Sequence, residues 1–354
     1  MGGVECHCEE LLPRIAARAP GLRLVALGRR AYIGRGRRHF EGVEVVPLPG
    51  PARQSVETLM SSLVGTFYAR RIGARAVHIH AVASGLMAPL AKLLRMKVIF
   101  TVHGADYQRA KWGPAARFLL RAGERWGVRS ADAIICVAPS LTRQLQERYP
   151  RHAHRIDHVA NGAPMLVESG GGAELLERLD VEPANFVLAV GRIEPGKGFD
   201  ILIDAFERSG RSGKLVIVGA AHHEAEYAAS LMRSAGDRVV FAGVQPRGLL
   251  LHLYKSAALF VLPSLHEGLP ICALEAASAG CPLLLSDIPG NRDLGLSDAH
   301  YFTSGDAGAL SLALREPDER YAVSPRFLSA FDWDEISQRT LTIYQNVIGA
   351  GRPS

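Results

Sequence analysis

Two glutamates eight residues apart, Glu267 and Glu275, sit in the stretch Pro263–Pro282, which reads PSLHEGLPICALEAASAGCP. An apolar run from Ala258 to Leu262 ends as a buried strand just before it. A loop, Ser264 to Leu269, then leads into a helix with Pro270 in its first turn. Proline is tolerated there because the first helical N–H groups have no intrahelical partner. The backbone N–H groups near Gly268, Leu269 and Ile271, bracketed by two acids, suit a polar ligand with an anionic group. Glu275 lies within the helix and is placed to accept from ribose hydroxyls, although its local sequence alone favours a helix-surface acid. Glu267, in the loop, would meet a sugar or a phosphate. A hydrolytic pair would have to face each other across a sugar ring, which this spacing does not establish.

A second motif, Gly191-Arg-Ile-Glu-Pro-Gly-Lys-Gly198, follows the strand FVLAV and precedes a helix starting near Phe199. It matches the phosphate loop G-x-x-x-x-G-K-[ST] except at the last position, where Gly198 replaces the hydroxyl that would hold magnesium. That departure argues against a nucleoside triphosphatase. Arg192 and Lys197 could still neutralise a diphosphate, each charge-assisted hydrogen bond contributing roughly 1.5–3 kcal/mol; the alternative is a surface turn with two solvated cations. His103-Gly104 ends the run KVIFTV, at the carboxyl edge where doubly wound sheets place ligands, and His80 holds the equivalent place after the preceding strand. A histidine there can donate to an anion or a sugar hydroxyl. Cys6-His7-Cys8 lies in a helical pattern where neighbouring residues point apart, so no metal site is expected.

These residues need strands and helices to hold them, and the chain supplies both in alternation. Helical periodicity over residues 4–18 is followed by apolar runs at 22–27 and 43–46 and a helix over 55–71. Strands at 76–79, 97–102, 133–137 and 155–159 then alternate with helices at 85–94, 115–128 and 140–147. Asn161-Gly-Ala-Pro164 and Ser169-Gly-Gly-Gly172 mark a linker. Alternation restarts with strands at 186–190, 215–218, 239–241, 259–262 and 282–285. Unbroken apolar strands separated by helices predict α/β architecture, parallel sheets covered on both faces. The expected domains are 1–164 and 165–334, with a last helix at about 335–354 packing back on the first. The N-terminal domain lacks the usual opening strand, because Met1-Gly2-Gly3 leads straight into helix.

At 354 residues, two domains are the natural expectation. Hydrophobic residues make up 48% and charged residues 21%, ordinary for a globular protein. No apolar run reaches membrane-spanning length and no signal-peptide core opens the chain. Five cysteines without zinc-site spacing fit a cytoplasmic protein with reduced thiols. The net charge is +6. Arg29, Arg30, Arg35, Arg37 and Arg38 crowd one loop, readable as a solvated loop or as a patch for an anionic membrane surface or a phosphate-bearing acceptor. Nucleic acid is not expected, since the loop has few aromatics and no recognition helix.

Taken together, T-V-H-G, A-D-A-I-I-C-V, A-N-G, V-G-R-I-E-P-G-K-G and P-S-L-H-E-G-L-P-I-C-A-L-E-A, in that order, resemble glycosyltransferase family 4. The likeness covers nearly the whole chain, most strongly from about 185 to 290, and leans toward bacterial polysaccharide- and lipopolysaccharide-building members. It implies the GT-B fold, two Rossmann-like domains facing across a cleft. It also implies a retaining, metal-independent transfer of a sugar from a nucleoside-diphosphate sugar to a hydroxyl of a glycan or lipid-linked acceptor. No cofactor is required; the nucleotide sugar is the donor substrate. Arg192 and Lys197 fall where the family binds the diphosphate, Glu275 where ribose is held, and Glu267 where the donor sugar is met. His103 matches the histidine near the transferred sugar, and Gly2-Gly3 match a glycine pair approaching the donor phosphates. Asp106, Arg109, Lys111 and Trp112 are candidates for acceptor contact. The expected location is cytoplasmic, peripheral on the inner face of the plasma membrane. Family members normally open with a strand and a G-x-x-x-G-G loop, so the chain as given implies a misassigned start or a truncation. A truncated, non-catalytic nucleotide-sugar binder is the alternative function.

Overall fold

The computed structural model describes residues 3–30, 36–49, 54–105, 107, 112–164, 167–221 and 224–349. Gly2, Arg35, Asp106, Arg109 and Lys111, all singled out by the sequence, lie outside them. The chain divides into two compact units: Met1–Asn161 together with Trp333–Ser354, and Gly162–Asp332.

The first unit opens with α1 (Gly3–Arg18), β1 (Leu24–Arg29), β2 (Arg38–Phe40), β3 (Val43–Leu48) and α2 (Gln54–Arg71). It continues through β4 (Ala76–His80), a 3₁₀ segment (Val82–Met87), α3 (Ala88–Leu93), β5 (Lys97–Val102), α4 (Pro114–Ser130), β6 (Ala133–Cys136), α5 (Pro139–Arg148) and β7 (Ile156–His158). The predicted helix over 85–94 is therefore part 3₁₀. A Cβ at Gly85 would sit 2.4 Å from the Gly123 carbonyl oxygen, so this segment lies hard against α4. The strands form two sheets, β1-β3-β2 and β4-β5-β6-β7. All pairings are parallel except β2 with β3, a short antiparallel strand the sequence did not signal.

Among the described residues no strand joins β1 to β4. Every residue of these two strands is half-exposed, whereas β6 is buried throughout and β5 all but at Lys97. Apolar strands meant for the interior of a parallel sheet are thus left as edges. The helix predicted at the C-terminus, α13 in the numbering continued below, spans Trp333–Gly349 and belongs to this unit. Its Trp333, Ile336, Leu341, Tyr344 and Val347 form one core with Leu11 and Ile15 of α1 and Ile99 of β5, and Asp334 meets Arg18 at 3.0 Å.

The second unit runs α6 (Gly172–Leu179), β8 (Phe186–Val190), α7 (Phe199–Ser209), β9 (Lys214–Val218), α8 (Ala225–Ser234), β10 (Val239–Gly243), α9 (Arg247–Ser256), β11 (Leu259–Leu262), α10 (Ile271–Ser278), β12 (Leu283–Ser286), α11 (Pro289–Arg292), β13 (Tyr301–Phe302) and α12 (Ala307–Ala313). Its six strands form one sheet in the order β10-β9-β8-β11-β12-β13, parallel throughout. The central strands β8 and β11 are adjacent although an α-β-α-β-α stretch separates them in sequence. The strand order therefore reverses between them, and such a switch point opens a crevice at the carboxyl ends of the strands. Core residues from Val187, Phe199, Leu202, Phe206, Leu259 and Val261 fill the layer between sheet and helices.

Candidate functional site

The loops leaving β8 and β11 carry both motifs found in the sequence. Gly191–Gly198 leaves β8 and turns into α7 through Gly198, which has φ +64. A Cβ at Gly198 would lie 2.3 Å from the Pro263 carbonyl oxygen. The departure from the phosphate-loop pattern thus has a steric cause: this position presses on the neighbouring loop in left-handed backbone that a side chain disfavours. The two loops are also stitched by a hydrogen bond from the Leu265 amide to the Gly196 carbonyl, 2.9 Å. From behind, Gly290 of α11 supports the second loop, since a Cβ there would approach the Gly268 and Glu267 carbonyl oxygens to 2.3 and 2.6 Å.

This close approach brings Lys197 and Glu267 together. Lys197 Nζ donates to Glu267 Oε1 at 2.5 Å, with the side chains only 13% and 10% exposed. The same carboxylate oxygen accepts from Ser264 Oγ at 2.7 Å. Burial works against the lysine's charge, but the attraction of Glu267 and its hydrogen bond prevail and hold the Lys197 pKa above its usual value. Arg192 is half-buried and pairs with the buried Glu194 at 3.1 Å. Both cations assigned to a diphosphate are therefore engaged by acids, and an incoming anion would share or displace those partners. Nearby, burial pushes the Cys272 thiol up to about 12 against the pull of Lys197, so it stays protonated and unreactive near neutrality.

Pro270 is the residue before α10 rather than part of its first turn, and α10 begins at Ile271. Leu269 and Ile271 are buried and Gly268 is half-buried. Glu275, one turn into α10, is buried and accepts from the Tyr254 hydroxyl of α9 at 3.0 Å. It is not the solvated helix-surface acid that its local sequence favoured. Burial and the neighbouring Glu275 keep the Tyr254 hydroxyl protonated, with its pKa well above the usual value. Neither Tyr254 nor Ser264 was singled out by the sequence: Tyr254 stands in no motif, and Ser264, though inside the Pro263–Pro282 stretch, carries no signal of its own. Only the folded structure sets them against the two acids.

In the first unit His103 follows β5 and His80 ends β4, as the sequence placed them. His80 Nδ1 and His103 Nε2 share a hydrogen bond at 3.0 Å. His7 of α1 packs edge-on against His103, ring centroids 4.9 Å apart, and its Nδ1 meets Asn161 Oδ1 at 2.9 Å. Burial lowers the His7 pKa to about 4, and burial together with the mutual repulsion of these rings lowers His103 well below the usual histidine value. The cluster is therefore a set of neutral imidazoles at pH 7. His7, His80 and His103 are the one group among the described residues whose ligand atoms, within 4.8 Å of one another, could hold a metal ion. A tetrahedral zinc site, with bonds of about 2.0–2.1 Å, spaces its nitrogens at about 3.3 Å. The 3.0 Å contact is instead what a shared proton gives. His78 spends both nitrogens on Tyr344 and Thr101 hydroxyls, each at 2.6 Å, and is structural.

Gly3 is the exposed first residue of α1. Of the arginine loop, Arg29 ends β1 and Arg38 begins β2. Arg37 lies 3.5 Å from Glu44 and donates to the Tyr68 hydroxyl at 3.0 Å. Part of the loop's charge is thus already answered, since Glu44 also takes Arg23 at 2.7 Å.

Comparison with known families gives two matches: Glycosyltransferase Family 4 over residues 1–165 and Glycosyl transferases group 1 over residues 176–315. Among curated proteins, the chain is 29% identical over 264 residues to a D-inositol 3-phosphate glycosyltransferase of Nocardia farcinica, covering 65% of this chain and 58% of that one. A protein of the same description from Rhodococcus jostii is 30% identical over 256 residues, covering 66% and 56%. The match thus spans little more than half the length of these relatives. Among solved structures, sucrose-phosphate synthase from Thermosynechococcus elongatus superposes with a TM-score of 0.81 at 21% identity, over 99% of this chain and 94% of the other. Anabaena Alr3699/HepE in complex with UDP gives 0.72 at 19% identity, over 98% and 96%.

Proposed function

The chain belongs to glycosyltransferase family 4 and has the GT-B fold, and from that premise we propose that it transfers a sugar from a nucleoside-diphosphate sugar to a hydroxyl of a glycan or lipid-linked acceptor. The observation that carries this reading is the Lys197–Glu267 pair at the switch point of the second sheet, where two loops converge with Arg192 alongside and Glu275 one turn into α10. The UDP and UDP-glucose complexes of Alr3699/HepE, a structural neighbour, support a nucleotide-sugar donor.

In this mechanism Glu275, oriented by Tyr254, accepts from the ribose hydroxyls. Arg192, Lys197 and the N–H groups opening α10 meet the charge that grows on the departing diphosphate, so that no metal is needed for this step. Glu267 stands beside the transferred sugar. The incoming hydroxyl attacks from the leaving-group face, with retention at the anomeric carbon, and a phosphate oxygen of the leaving group takes its proton. His103, neutral at pH 7, donates to a sugar hydroxyl. The role is cell-surface polysaccharide synthesis by a cytoplasmic protein peripheral to the inner membrane face, and the arginine loop is one candidate membrane patch.

A screen of nucleotide sugars for donor hydrolysis and transfer tests the reading, with Glu267→Ala and Lys197→Ala as controls. Turnover lost in both variants supports it; turnover unchanged in either refutes the assigned roles. The sheet edges at β1 and β4, which no strand among the described residues pairs, favour a second reading, a nucleotide-sugar binder without turnover. Donor binding by calorimetry with no transfer or hydrolysis would select that reading.

A further inference from the structure

Helix α4 is seated by its glycines: a Cβ at Gly123 would lie 2.1 Å from the Val82 carbonyl oxygen, and one at Gly127 would lie 2.5 Å from the Phe100 ring. This fixes which face looks outward. That face exposes Phe118 (72%), Leu119 (45%) and Trp126 (48%), and Leu93 at the end of the adjacent α3 is 79% exposed. Arg121, Arg125 and Arg129 are exposed among them. At about 100° per residue, these arginines and the three large apolar side chains fall within one arc of roughly 160°. The helix's one acid, Glu124, points inward, where its Oε1 takes Arg148 and the Tyr149 hydroxyl, each at 2.9 Å. The outward face therefore carries no negative charge. Among the described residues none of the three arginines makes an ion pair, although Arg121 lies over the Tyr107 ring, 5.6 Å from its centroid.

We propose that this face of α4 is a docking surface for an anionic lipid bilayer. The cations match the headgroup charge, and Trp126, Phe118, Leu119 and Leu93 enter the headgroup–acyl boundary, which gives large apolar side chains a place to go. A polyanion without a hydrocarbon layer, such as a nucleic acid, would answer the arginines and leave those side chains in water. No helix among the described residues is long and apolar enough to cross a membrane, so α4 would lie in the plane of the surface. Each arginine near an anionic leaflet raises affinity by about five-fold. The inference stands apart from the donor-site reading, because it concerns other residues and needs no nucleotide.

The test is flotation of the full chain with phosphatidylglycerol/phosphatidylcholine vesicles, with pure phosphatidylcholine vesicles and a single-stranded RNA as the other arms. The proposal expects capture by the anionic vesicles that weakens with salt, and at least ten-fold weaker capture for both Arg125→Ser/Arg129→Ser and Phe118→Ser/Trp126→Ser. These positions are exposed, and unchanged melting temperatures, with unchanged circular dichroism spectra, verify that both variants remain folded. Three results would overturn it: capture unchanged in both variants, capture lost only on replacing Arg35, Arg37 and Arg38, or tighter binding of the RNA than of the vesicles.

Discussion

Replacing Lys197 by methionine should destabilise the second unit before any question of catalysis arises. The lysine lies 2.5 Å from Glu267, and about a tenth of each side chain is exposed. Removing one partner of a largely buried pair costs about 3–5 kcal/mol, since the other charge is left without compensation. Residual exposure and the Ser264 hydroxyl on Glu267 point to the lower end, about 3 kcal/mol. For a domain of about 150–250 residues, each kcal/mol moves the melting temperature by roughly 2–4 °C, so the second unit should melt about 6–12 °C lower. Replacing both partners, Lys197→Met with Glu267→Gln, should restore most of that loss, because no buried charge remains. Differential scanning calorimetry of wild type, both single variants and the double variant closes the cycle. Single variants melting within about 2 °C of wild type, or a double variant no more stable than the singles, would refute the reasoning. The pair also has a pH signature. Because the folded lysine's pKa is raised, its stabilisation is fully present below its unfolded value of about 10.4 and is lost as pH rises through the folded one. The gap between wild type and Lys197→Met should therefore stay constant across neutral pH and narrow only in strong alkali.

Gly198→Ser, which restores the phosphate-loop consensus, should lower stability by at least about 1 kcal/mol and abolish nucleotide-induced stabilisation, because the new side chain meets the Pro263 carbonyl in left-handed backbone; thermal shift with and without UDP reads both effects. The first unit should be acid-labile. The His7 pKa is lowered to about 4, so its stabilising effect is complete above about pH 6.5 and lost as pH falls toward 4, a change of roughly 3 kcal/mol. His7→Gln should reduce the slope of that part of the stability–pH curve, measured by denaturant titration, without removing it, because burial lowers His80 further, to about 3. Hydrogen exchange should find the amides of β1 and β4 less protected than those of β5 and β6, reflecting their half-exposed edges; equal protection would mean that another segment covers them.

Much of this protein was legible in the order of its residues. Apolar runs of four to six residues bounded by Gly, Pro and Asn located the β8, β9, β11 and β12 strands to within a residue, because strands buried on both faces must be apolar throughout. The short β2 and β13 gave no such signal: Arg38-His39-Phe40 is exposed, and Tyr301-Phe302 is too brief for any period. The two motifs offered Arg192, Lys197, Glu267 and Glu275 as candidates by chemistry and spacing, and only the family resemblance gave them roles. Sequence could not say that Lys197 and Glu267, 70 residues apart, meet in one ion pair, nor that Tyr254 turns Glu275 from a candidate helix-surface acid into a buried, oriented one. Nor could it show that His7, once set aside with its cysteines, joins His80 and His103. Local periodicity reports which face of an element is apolar. Which polar groups are brought together depends on strand order, and here the adjacency of β8 and β11 in the folded sheet decided it.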